Sequence, residues 1–243
     1  MAYAHENGGD KMRIKDGSFS VLCAILFILS EIVLFPMIQL TSADVSGFSA
    51  YTAIVLVALF ALFVCRCRGA EHFIRLGILF TLVADYFLVL ADDRQLEGVL
   101  AFIVVQLAYF LYLVLSEENR GVRNANIFTR VALSGVLVVA AIIVLGEDVD
   151  ALSIASVVYY ANLVSNVIFA FKLGRGDRIF AVGLVLFAMC DLCIGLEVLF
   201  SSYLDSDAFS FFYGSNLNLP WVFYQPSQVL IALGLFSKNR KQF

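Results

Sequence analysis
The chain has 243 residues, of which 61% are apolar and 15% charged, with a net charge of −4 and three prolines. It is too apolar for a water-soluble domain. It is also too long for one or two membrane spans, because a hydrocarbon core of roughly 30 Å takes about 20 residues per helix. A membrane β-barrel needs alternating segments of about ten residues, and runs such as Ile54 to Val64 do not alternate. The apolar segments are therefore read as helices, which satisfy every backbone N–H and C=O internally.

In chain order, residues 1–17 are polar and mixed in charge, and are read as a cytoplasmic segment. Apolar segments follow at about 18–40, 48–65, 72–91, 97–116, 127–146, 150–172, 178–202 and 217–237. The first is too long for the core of a signal peptide and reads as an uncleaved span. Only short polar turns intervene. The expectation is one all-α domain over residues 18–237, a polytopic bundle of eight transmembrane helices, with a basic tail at 238–243. Such a chain is an integral, multi-pass protein of the cell membrane, or of the endoplasmic reticulum in a eukaryote.

Charge sorts by side. With the N-terminus inside, all of the 16 basic residues except Arg94 fall in the inner segments, Arg66, Arg75, Arg123, Arg130 and Lys172 among them. The alternate loops are acidic, with Asp44, Asp92, Glu97, Asp148, Asp150, Asp205 and Asp207. This bias predicts an N-in, C-in topology. A faint repeat accompanies it. Gly77 precedes Asp85 by eight positions in the third segment, as Gly183 precedes Asp191 in the seventh. Phe102 precedes Gln106 by four in the fourth segment, as Tyr224 precedes Gln228 in the eighth. The spacing is that of two parallel four-helix halves about an axis along the membrane normal.

Ionisable residues in lipid are costly, by at least about 2.5 kcal/mol each, yet Glu31, Asp85, Asp191 and Glu197 lie within apolar segments. At about 1.5 Å per residue, Asp85, Asp191, Glu31 and Tyr224 come out roughly 20 Å from the inner surface. Gln106, Gln228 and Asn162 fall near 15 Å, with Asn166 one turn from Asn162 on the same face. The economical arrangement is one polar pocket inside the bundle. Amides commonly tie membrane helices together without doing chemistry, whereas intramembrane acids mark a substrate, ion or proton site. His5 and His72 cannot build an HExxH-type zinc site. No phosphate-binding loop or nucleophile elbow is present, and nothing calls for a cofactor, a metal or a nucleic acid.

These residues carry a resemblance. The chain reads GILFTLVADYFLVL and then GVLAFIVVQLAYF, giving Asp85, Gly98, Phe102 and Tyr109. Later it reads GLVLFAMCD, giving Gly183, Phe187 and Asp191, and YQPSQVLIA, giving Tyr224 and Gln228. In order and spacing these motifs resemble the YhhN family, which includes the mammalian lysoplasmalogenases, from about the third segment to the eighth. Three positions depart from the family pattern. Ala84 stands for a Gly, Cys190 for a Ser, and Gln106 for a His, and an amide cannot shuttle protons as imidazole does.

The resemblance implies hydrolysis of the vinyl ether of a lysoplasmalogen to a fatty aldehyde and a glycerophospho-alcohol. The residues suit that reaction independently. Protonation at carbon produces an oxocarbenium ion that water captures, and glycosidases meet a related need with two carboxylates. Two buried acids close together do not both ionise cheaply, so one keeps its proton. Asp85 and Asp191 are the expected acid/base pair. Gln106, Tyr109, Tyr224, Gln228, Asn162, Asn166 and Glu31 are expected to orient them or to bind water and substrate. A lysophospholipid, or another lipid, is the expected partner within the bilayer. A small-solute or proton-coupled transporter, and a lipid-binding relative without activity, are the alternatives the pattern leaves open.

Overall fold
A computed structural model describes residues 7–91, 93–203 and 218–240. Their long elements are α1 (Asn7–Leu40), α2 (Ala43–Phe63), α3 (Glu71–Asp85), α4 (Gln95–Ser116), α5 (Arg120–Leu145), α6 (Ala151–Ala170), α7 (Arg178–Tyr203) and α8 (Leu219–Arg240). Among the described residues eight helices are long and apolar enough to cross a membrane, as the sequence predicted. Among the described residues there is no strand. The expected acidic residues Asp92, Asp205 and Asp207, together with His5 and Lys241, lie outside the described residues.

Several boundaries differ from the sequence reading. Helix α1 starts at Asn7, inside the segment read as a separate polar piece. Polarity marks where a helix leaves the hydrocarbon, not where its backbone hydrogen bonds stop. Helix α5 starts seven residues early because Asn119 caps it, its side chain accepting from the Gly121 and Val122 N–H groups. A capped end satisfies donors that otherwise lack partners. Asp150 does the same for α6, accepting from the Ser153 N–H at 2.7 Å. Helix α3 does not run regularly to its end. After Asp85 it widens into a π-helical turn, Tyr86–Leu90, closed by the Ala91 N–H on the Tyr86 carbonyl at 3.1 Å.

Helix α7 lies along α8, α3 along α4, α5 along α6, and α1 along α2. Helix α4 also packs on α6, and α2 on α8. Without a hydrophobic force between helices in lipid, close backbone approach becomes the main attraction. Glycines supply it. A Cβ at Gly77 would come within 2.3 Å of the Tyr109 ring, and one at Gly183 within 3.0 Å of the Ser227 carbonyl. One at Gly234 would meet the Phe180 backbone at 2.9 Å. The two glycines that marked the faint repeat are thus the contact points of α3 with α4 and of α7 with α8.

The end bearing the basic loops is pinned by a polar knot. Asp177, in the turn before α7, accepts from the Tyr112 hydroxyl and pairs with Lys238 at the end of α8. The Lys238 ammonium also lies 4.5 Å from the Tyr112 ring centre. At the periphery, α5 buries only Asn126 and Arg130 and turns Phe128, Val131, Val139 and Ile143 outward, toward lipid.

Overpacking a close helix contact costs about 1–3 kcal/mol. Gly77→Ala is therefore expected to lower the melting temperature of the purified protein by several degrees. Gly195→Ala, where a Cβ meets nothing within 4 Å, is expected to leave it unchanged or slightly higher.

Candidate functional site
The centre of the bundle is an aromatic cluster flanked by two acids. Phe102 of α4 lies 5.5 Å from Tyr159 of α6, 5.5 Å from Phe187 of α7 and 6.4 Å from Tyr224 of α8, between ring centres. Phe187 and Tyr224 are 5.4 Å apart, and Trp221 stacks edge-on against Tyr224 at 5.1 Å. All but Trp221 are buried. Four helices therefore meet on rings that offer no charge of their own.

Each acid is fixed by one of those rings. The Tyr224 hydroxyl donates to Asp85 Oδ2 at 2.6 Å. The Tyr159 hydroxyl donates to Asp191 Oδ2 at 2.5 Å. Asp85 is buried at the last turn of α3, where the regular helix gives way to the π turn. Such turns re-aim side chains and are frequent at functional sites. Asp191 is half-buried on α7. The two acids, on α3 and α7, are thus each bonded to a tyrosine that packs on Phe102.

One turn along α4 and α8 the lining becomes amide. Gln106 and Gln228 are fully buried. Asn166 of α6 donates from Nδ2 to the Gln106 Oε1 at 2.9 Å and to its backbone carbonyl at 3.0 Å. Behind Asn166 stands Arg130, buried on α5. Its guanidinium donates to Asn166 Oδ1 at 2.8 Å, to Asn162 Oδ1 at 2.6 Å and carbonyl at 3.2 Å, and to Asn126 Oδ1 at 3.3 Å. The Phe110 ring lies 4.3 Å beneath it. Counted among the inner segments from the sequence, Arg130 is buried within the helix. It sits ten residues into α5, roughly 15 Å along the helix, and three asparagines make its charge tolerable there.

The remaining expected residues sit elsewhere. Tyr109 packs its ring on Gly77 and on Phe180, at 5.4 Å, with neither aspartate. Glu31 is buried between α1 and α8, where Gln225 Nε2 donates to its Oε2 at 2.8 Å. Asn162 serves Arg130. Glu197 is exposed on α7. A crevice between α4, α5 and α6 is lined by Leu113, Arg123, Asn126 and Phe169, and neither aspartate borders it. Among the described residues no group of three His, Cys, Asp or Glu side chains is placed to hold a metal ion.

Tyr159, Arg130, Gln225 and Trp221 were missed from the sequence. Two had a signal. Tyr159, Asn162 and Asn166 fall at i, i+3 and i+7, one face of a helix. Asn126 and Arg130 fall at i and i+4. Gln225 had none, because its neighbour Tyr224 faces a different helix.

Hydrogen bonds to a charged group contribute about 1.5–3 kcal/mol each. Arg130→Met is accordingly expected to lower stability by about 2 kcal/mol or more, measured by reversible unfolding in mixed micelles. Arg130→Lys is expected to restore little of it, since a compact ammonium cannot reach acceptors spread over a planar fork.

Comparison with known proteins places the chain. The family model described as the YhhN family matches residues 45–235, from α2 into α8. No curated protein and no solved structure matches the chain.

Proposed function
The chain belongs to the YhhN family of integral, multi-pass membrane proteins, and from that premise we propose that it hydrolyses the vinyl ether of a lysoplasmalogen. One observation carries the reading. A carboxylate on α3 and another on α7, both within apolar spans, are each bonded by a tyrosine hydroxyl of one shared aromatic cluster.

The chemistry follows from that pair. A vinyl ether is inert until its outer alkene carbon takes a proton. The carboxylic acid of one aspartate delivers that proton, and the positive charge settles on the ether oxygen and its adjacent carbon. The other, ionised, aspartate stabilises this oxocarbenium ion. It then takes a proton from water as the water oxygen adds to the cationic carbon. As the hemiacetal that results breaks its bond to the glycerol oxygen, that oxygen takes the proton held by the second aspartate and the hemiacetal hydroxyl gives its proton to the first, leaving aldehyde and alcohol. Atoms balance with one water consumed and the acid restored. Tyr159 and Tyr224 orient the carboxylates, and the rings of Phe102 and Phe187 provide an apolar wall for an acyl chain.

Gln106 stands at the family's histidine position. It is neutral at every working pH, so proton movement in this chain is assigned to the aspartates, with Gln106 as a hydrogen-bonding group.

General acid–base groups contribute about 10²–10⁴-fold each. Asp85→Asn and Asp191→Asn, purified with unchanged melting behaviour, are each expected to lower aldehyde release from lysoplasmalogen by that factor. Wild-type turnover in either variant would remove that aspartate from the mechanism. Aldehyde release absent from the native protein itself would remove the hydrolase.

A further inference from the structure
Beneath the aspartates, two fully buried amides are left with one unpartnered atom each: Gln106 Nε2 and Gln228 Oε1. Which atom is left over is not a matter of choice. Arginine has donors only and does not lose its proton. The Asn166 atom facing Arg130 must therefore be oxygen, which turns Nδ2 toward Gln106, where it also meets a backbone carbonyl. The Gln106 atom facing Nδ2 must in turn be oxygen. Its NH2 group is thus directed away from Asn166, as a donor.

At Gln228 the shorter of the two serine bonds sets the orientation. The Ser227 hydroxyl gives its one proton to the Tyr224 carbonyl at 2.6 Å. Toward Gln228 it can only accept, which it does from Nε2 at 3.3 Å. The Gln228 carbonyl oxygen is left as an acceptor.

Helical spacing puts the two loose ends in one layer. Phe102 and Tyr224 meet ring to ring across the core. Gln106 and Gln228 follow them by four residues, one turn on along the same faces of α4 and α8. An unsatisfied buried donor or acceptor costs about 1–3 kcal/mol. A donor on one helix and an acceptor on the other are complementary to a single kind of group, an oxygen that accepts from the first and donates to the second.

We propose that Gln106 and Gln228 form a hydroxyl-binding site, and that Arg130, acting through Asn166, locks its polarity. A hydroxyl oxygen accepts from Gln106 Nε2 and gives its proton to Gln228 Oε1. Two sources share this chemistry: the free hydroxyl of a lysolipid glycerol, and the water that the hydrolysis consumes. The site deepens the lysolipid reading and rests on it for the choice of lipid, but the polarity argument does not depend on turnover. Arg130 and Asn166 are positioning residues, since neither meets the ligand.

Trp221 is the one tryptophan of the chain and packs on Tyr224, so its emission reports binding without catalysis. The test titrates the purified protein with a saturated alkyl-ether lysophosphatidylcholine bearing a free hydroxyl, and with its O-methyl counterpart, which accepts but cannot donate. The native protein is expected to prefer the free hydroxyl about tenfold, or about 1.4 kcal/mol. Gln228→Met is expected to erase that preference while leaving the melting temperature equal or higher, because a buried unpartnered oxygen is removed. Asn166→Asp keeps an acceptor for Arg130 but turns Gln106 round, and is expected to weaken both lipids about tenfold.

Equal affinity for both lipids in every protein, with vinyl-ether turnover at least tenfold lower in Gln228→Met and Asn166→Asp, assigns the hydroxyl to water. Hydroxyl preference without turnover would end the hydrolase reading and leave the site standing. Equal affinities, or no binding, with native turnover in both variants overturns the site. A native-like Asn166→Asp beside an altered Gln228→Met overturns the Arg130 lock alone.

Discussion
A polar group in hydrocarbon has no water to turn to, so it must find its partner in the protein. That constraint organises this molecule. Glu31 holds Gln225, Asp85 and Asp191 each hold a tyrosine, and Arg130 holds three asparagines. Each of these bonds joins two helices, apart from the Arg130–Asn126 link within α5. The interior is therefore tied by directional contacts that admit few alternative registers, whereas apolar faces sliding past lipid or past one another admit many.

The arrangement also separates tasks by depth. At the basic end, Asp177, Tyr112 and Lys238 pin the turn before α7 to the end of α8. One layer further in, the amides of Gln106, Asn166 and Gln228 form a neutral hydrogen-bonding shell. Beyond them lie the aromatic cluster and the two aspartates. An acid beside neutral amides and rings, rather than beside a cation, is held without a fixed counter-charge. Arg130 is kept from the aspartates by Asn166 and Gln106, which pass on its polarity and not its charge.

The packing of α1 on α2 and α3 on α4 parallels that of α5 on α6 and α7 on α8, and α2 meets α8 as α6 meets α4. The two acid–tyrosine pairs are not related in the same way. Asp191 takes its tyrosine from the preceding helix, α6, while Asp85 takes its tyrosine from α8 in the other half. The same kind of bond is reached by two routes, and two similar carboxylates thereby acquire different surroundings.

Much of this was determined by the sequence alone. Hydrophobic length set the eight helices, and the cost of acids in lipid singled out Asp85 and Asp191 before any coordinates. Helical spacing placed Tyr224 and Gln228 on one face, as it did Asn162 and Asn166. Only the tertiary structure decided which faces meet. It took Glu31 and Tyr109 to other contacts, buried Arg130 among three asparagines, and brought in Tyr159, one aromatic among many in the sequence. The reason is physical: depth along a helix follows from residue count, but rotation about its axis and the identity of its neighbours are set by close contacts between glycines, rings and amides that lie far apart in the chain.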